Sequence, residues 1–150
     1  MKVLVAFASR HGATQEIAER IGERLAASGI DVAVVPVGDV EAVDGFDAVV
    51  IGSAVYVGRW LEPARTFIES HAEALRAQRT WLFSSGPLGE PPKPSPERCV
   101  DIDDLMEVTR ARGHRLFAGR LDRSLLGVSE RAVVRLVKAV EDHRRGTRCG

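Results

Sequence analysis

Short runs of apolar, largely β-branched residues alternate with segments of helical period from one end of this chain to the other, and that alternation leaves few folds open. The runs occupy residues 2–8 (Lys2-Val3-Leu4-Val5-Ala6-Phe7-Ala8), 31–37, 48–52, 80–84 and about 114–119. After the first run, Ala13, Ile17, Ile21 and Leu25 recur every four residues, with Gln15, Glu16, Glu19, Arg20, Glu23 and Arg24 on the other side, up to the stop signal Ser28-Gly29. A second helix is predicted from about Glu62, with Pro63 near its first position and Ala64, Phe67, Ile68, His71 and Leu75 along one side. Two more are predicted at about 101–112, stopping at Gly113, and from near 129 to 143. Strands that are apolar throughout are buried on both faces, so the expectation is an α/β protein with a parallel sheet between two helical layers. Five such strands suggest the order 2-1-3-4-5.

On a sheet wound this way, ligands bind beyond the carboxyl ends, where the winding reverses between the first and third strands. Three loops are thereby brought together, 9–14, 53–60 and 84–96. The first reads Ser9-Arg10-His11-Gly12-Ala13-Thr14 and runs from strand straight into helix. It delivers hydroxyls and backbone N–H groups to a helix N-terminus, where the peptide dipoles favour an anion. No Lys follows Gly12, which excludes the triphosphate P-loop, and a single glycine excludes the dinucleotide fingerprint. What remains suits a phosphomonoester held by Ser9, Thr14 and backbone amides, with Arg10 and His11 at the loop tip.

The second loop, Ser53-Ala54-Val55-Tyr56-Val57-Gly58-Arg59-Trp60, carries the only tyrosine and one of two tryptophans. Polarisable rings beside a phosphate pocket suggest a flat aromatic group in the ligand, since stacking adds about 0.5–1.5 kcal/mol beyond area burial. Gly58 admits backbone conformations closed to other residues. Trp60 suits core packing at a helix start as well as it suits ring contact, and Trp81 reads as core. The third loop, Ser84-Ser85-Gly86-Pro87-Leu88-Gly89, has small residues whose amides and hydroxyls can approach a heterocycle edge; a turn ending a strand has the same composition.

A chain of 150 residues is one ordinary domain, here 1–143 with a short basic tail, 144–150. Its 21 basic residues balance 21 acidic ones, which gives no nucleic-acid footprint. No apolar run approaches the roughly 20 residues of a membrane span, and the N-terminus enters a strand at once, so no signal peptide is expected. Cys99 and Cys149 make neither a metal site nor a disulfide framework, which fits a reducing cytoplasm. Arg131, Arg135, Lys138, Arg144 and Arg145 punctuate the apolar residues of the last helix; packing on the sheet is favoured over contact with an anionic membrane.

The loops resemble those of the flavodoxin family, in particular the flavodoxin-domain proteins related to the menaquinone-dependent protoporphyrinogen oxidases. Val5 through Thr14 resembles that family's FMN phosphate loop, Ile51 through Gly58 followed by Trp60-Leu61-Glu62-Pro63-Ala64 its first ring-binding loop, and Phe83 through Gly89 its second. Gly113 through Asp122 looks like its last strand, and the likeness runs from Met1 to about Val140. The resemblance implies a flavodoxin-like three-layer sandwich that binds FMN without a covalent bond. The phosphate would sit on Ser9–Thr14 and the ring between Ser53–Gly58 and Ser84–Gly89. The redox chemistry would lie on the flavin, with no catalytic side chain and no metal. It implies an oxidoreductase working between a redox partner protein and a small or quinone-like substrate. The alternatives are a one-electron carrier and a flavodoxin-fold binding module that has lost flavin. The neutral charge balance speaks against the carrier, whose relatives are strongly acidic, and the intact Ser9, Gly12 and Thr14 against the module. No insertion of the oxidases' kind stands between Leu116 and Ser129, which argues against porphyrinogen as substrate.

Overall fold

A computed structural model describes residues 2–9, 12–56, 59–85, 102–117 and 137–140. In chain order the elements are β1 (Lys2–Ala8), α1 (Ala13–Ala27), β2 (Asp31–Pro36), β3 (Ala48–Tyr56), β4 (Arg59–Trp60), α2 (Glu62–Ser70), α3 (Ala72–Ala77), β5 (Arg79–Ser85), α4 (Ile102–Thr109) and β6 (His114–Phe117). The sheet runs β2-β1-β3-β5-β6, every pair along it parallel, while the two-residue β4 turns back antiparallel on β3. With that short hairpin strand set aside, this is the expected order 2-1-3-4-5.

The period-two geometry of a strand sends alternate side chains to opposite faces, and two cores result. On one face Val3, Val5, Phe7, Val50, Trp81 and Phe83 pack under Ile17, Ala18, Ile21 and Leu25 of α1, with helical Val137 and Val140 beside them. On the other, Leu4, Ala6, Val49, Ile51 and Leu82 pack under Ala64, Phe67 and Ile68 of α2, Leu75 of α3 and Leu105 of α4. Gly52 marks one close approach: a Cβ there would fall within the Phe83 ring, so the first core closes over a residue with no side chain.

Three details depart from the sequence reading. β3 runs on to Tyr56 rather than ending at Gly52, because β5 pairs with it as far as Ala54↔Ser85 and β4 then takes over at Val55↔Trp60. β2 stops at Pro36, which has no N–H to continue a ladder, and a single 3-10 turn (Val37–Asp39) follows. The helix expected through His71 is two helices meeting there. The His71 backbone leaves helical geometry (φ −117°, ψ 18°), and its ring Nδ1 lies 2.9 Å from the Phe67 carbonyl that its own N–H also reaches. Most of the predicted last helix, the proline-rich stretch, residues 118–119 of the last strand, both cysteines and the tail lie outside the described residues.

Candidate functional site

The carboxyl ends of three strands lie side by side at one edge: Ala8 beside Ser53, Ser53 beside Ser84, and Ala54 beside Ser85. The predicted loops therefore leave the sheet together. Of the residues singled out from sequence, Ser9, Gly12, Ala13, Thr14, Ser53, Ala54, Val55, Tyr56, Ser84 and Ser85 are described; Arg10, His11, Val57, Gly58 and 86–89 lie outside the described residues.

At the start of α1 the chain turns through Gly12, whose φ of 92° lies in the left-handed region that a side chain disfavours. The Gly12 N–H donates to Ser9 Oγ at 2.9 Å, and the first helical bond follows, Glu16 N–H to the Gly12 carbonyl at 3.0 Å. The N–H groups of Ala13, Thr14 and Gln15 precede that bond and have no acceptor inside the helix. Ser9 thus shapes the turn with its hydroxyl, while three consecutive amides and the positive end of the helix dipole belong to the helix start.

Thr14 is the anomaly of the site. Its side chain is fully buried, yet Oγ1 is the one buried side-chain nitrogen or oxygen without a hydrogen-bond partner among the described residues. The other buried threonines are satisfied: Thr80 donates to the Leu75 carbonyl (3.0 Å) and Thr109 to that of Leu105 (2.8 Å). An orphaned buried hydroxyl costs about 1–3 kcal/mol, a penalty that an anionic ligand at the helix start would remove. The hydroxyl, the amides and the glycine turn form a donor set that fits a phosphate ester.

On the ring side, two predicted hydroxyls are engaged within the protein. Ser53 Oγ accepts from the Leu61 N–H (3.0 Å) at the entry to α2 and donates to the Ala54 carbonyl (2.8 Å). Ser84 Oγ accepts from the Trp60 indole Nε1–H (2.8 Å) and lies 2.7 Å from His114 Nε2. Trp60 is accordingly core, 1% exposed, whereas Tyr56 on the same hairpin is, among the described residues, the large hydrophobic residue left exposed, at 57%. Burial holds the His114 imidazole below its ordinary pKa, because a charged ring there is poorly solvated. A neutral His114 with Nε2 unprotonated can accept the Ser84 hydroxyl proton while Ser84 Oγ accepts from the indole, so both groups of the serine hydroxyl have a partner.

The contact among Trp60, Ser84 and His114 is the feature that sequence reasoning missed. One signal for it existed: a buried indole N–H requires an acceptor, so a core tryptophan at a helix start implies a polar partner on the strand beneath it. Among the described residues there is no group of three or more His, Cys, Asp or Glu able to hold a metal, and no helix long and apolar enough to cross a membrane.

Residues 4–147 match the Flavodoxin domain family. A curated relative, protoporphyrinogen IX dehydrogenase [quinone] of Escherichia coli strain K12, is 25% identical over 147 residues, covering 85% of this chain and 81% of the relative. Among solved structures, a flavodoxin from the domain Archaea superposes with a TM-score of 0.71 at 22% identity, covering 94% of this chain and 99% of that one. Oxidised flavodoxin 1 of Bacillus cereus gives 0.67 at 16% identity, with 92% and 98% covered.

Proposed function

Because this chain belongs to the Flavodoxin domain family, we propose that it is an FMN-binding oxidoreductase, built as one domain over residues 1–143, that passes electrons between a protein or small-molecule donor and a quinone-like acceptor. The observation that carries the reading is the buried, unpartnered Thr14 hydroxyl beside three helix-start amides. Thr14 Oγ1 and the amides of Ala13, Thr14 and Gln15 would hold the phosphate, with Arg10 and His11 at the loop tip beside it. Ser9 would fix the turn that presents those amides. The flavin, when bound, supplies the redox chemistry, and the protein supplies position and electrostatics.

The ring would lie between the 53–58 and 84–89 segments. Ser53 and Ser84 act there by bracing, since their hydroxyls hold the entry to α2, and Tyr56 offers an exposed ring for stacking. Backbone groups of Ala54, Val55 and Ser85, with those of residues 57–58 and 86–89, would line the rest.

A quinone-like acceptor is supported by the quinone in the name of the Escherichia coli relative and by the balance of 21 basic and 21 acidic residues. A net charge of zero supplies no long-range attraction of the kind that steers a basic partner to a strongly acidic carrier. A one-electron carrier is the second reading, supported by the near-complete coverage of a flavodoxin, 99% of its length. A cytoplasmic setting accords with a chain holding two cysteines far apart in sequence.

The absorption spectrum of the purified protein, alone and with added FMN, is the test. Flavin bands that heat releases are expected, followed by their bleaching on stepwise reduction in one two-electron transition and recovery on addition of a quinone. Two well-separated one-electron transitions without quinone turnover would favour the carrier. A colourless protein that leaves the FMN spectrum unchanged would refute flavin binding.

A further inference from the structure

The His114 imidazole belongs to β6, outside every loop expected to touch a ligand, yet it reaches the carboxyl edge through two intermediaries. Its Nε2 lies 2.7 Å from Ser84 Oγ on β5, the same oxygen accepts the Trp60 indole N–H at 2.8 Å, and Trp60 pairs with Val55 on β3. The chain of contacts thus links β6 to the hairpin that presents Tyr56, across residues 24 and 30 positions apart. We infer that neutral His114, by accepting the Ser84 hydroxyl proton, is a positioning residue that fixes Trp60 and with it the β3–β4 hairpin at the ring side of the proposed FMN site.

Donor counting gives the direction. The indole can only donate, so one lone pair of Ser84 Oγ is taken and its single proton needs an acceptor. Among the described residues, the group within reach that can accept it is His114 Nε2, 2.7 Å away. Leucine at position 114 would leave the Ser84 proton without an acceptor and free the hydroxyl to rotate away from the indole. Glutamine would return an acceptor at nearly the reach of Nε2.

The inference rests on the FMN reading for its functional consequence, and the experiment separates the two. In the flavin-free protein, the indole N–H resonance of Trp60, assigned with Trp60→Phe, is followed in wild type, His114→Leu and His114→Gln; Trp81, on the opposite face of the sheet, is the internal reference. Expected are a shifted Trp60 resonance with at least about tenfold faster hydrogen exchange in His114→Leu, a still Trp81, and recovery in His114→Gln. The FMN dissociation constant should rise about threefold or more in His114→Leu and recover in His114→Gln. An unmoved Trp60 resonance in His114→Leu would overturn the inference, as would a moved one with unchanged FMN affinity. If wild type takes up no FMN, the functional reading fails while the indole signal still decides whether His114 fixes Trp60. Should His114→Leu not fold, the imidazole nitrogen shifts of wild type decide: the Nδ1–H tautomer supports the inference, and Nε2–H overturns it.

Discussion

Ser53 and Ser84 stand side by side in the register of β3 and β5, and both hydroxyls accept from consecutive residues at the entry to α2, Ser53 from the Leu61 N–H and Ser84 from the Trp60 indole. Two adjacent strands therefore grip one segment from below. This arrangement explains why hydroxyl residues can end strands at a ligand edge without facing the ligand: buried polar groups are stable when paired, and the pairing fixes the segment that they hold.

The Ser84 grip predicts a measurable coupling. Ser84→Ala strands a buried indole N–H and should destabilise the fold by about 1–3 kcal/mol. Once Trp60→Phe has removed that donor, the same substitution should cost clearly less. A double-mutant cycle by urea denaturation should return a coupling of about 1 kcal/mol. Additive losses would mean that the two side chains do not interact.

Thr14→Val separates binding from folding. Valine keeps the branched shape and removes a hydroxyl that has no partner among the described residues, so the flavin-free protein should lose no stability and should gain up to about 1 kcal/mol. FMN affinity should fall about tenfold or more with the loss of one charge-assisted hydrogen bond. Thermal unfolding without flavin and a binding titration check the two halves; unchanged affinity would remove Thr14 from the phosphate site.

Gly52→Ala should destabilise by about 1–3 kcal/mol, because its Cβ would land in the Phe83 ring at the centre of one core. Phe83→Leu, damaging alone through lost packing, should be less damaging in the Gly52→Ala background. Denaturant midpoints of the four proteins test this, and independence of the two substitutions would contradict the close approach.

Stability should fall as pH drops below about 6.5, the ordinary histidine value, and His114 should carry part of the fall. Burial lowers the folded-state pKa, so between the two values the unfolded chain binds more protons than the folded one. Stability then rises with pH across that window and levels off above it. His114→Leu should flatten this segment of the profile measured by thermal unfolding. An equally steep profile in the variant would place the dependence elsewhere.

The architecture was legible because it is written in local pattern. The apolar runs of β1, β2, β3 and β5 and the four-residue repeat of α1 each lie within one element, and the turn at Gly12 sits where strand meets helix. Thr14 was legible as a residue of a helix start, but its orphaned hydroxyl was not, because satisfaction depends on everything packed around it. Trp60 left two readings open, and a partner 24 positions away settled it as core. The extension of β3 to Tyr56 was hidden for a similar reason: its partners, Ser85 and Trp60, come later in the chain. His71 shows the converse, a residue with the right periodicity whose own ring competes for a helix carbonyl.

The central claim, that the start of α1 captures a phosphate, is tested most directly by calorimetric titration of the flavin-free protein with FMN and, in parallel, with riboflavin, which has the same ring and no phosphate. Several charge-assisted hydrogen bonds at about 1.5–3 kcal/mol each predict that FMN binds at least about a hundredfold more tightly. Equal affinities for the two, or no heat with FMN, would contradict it.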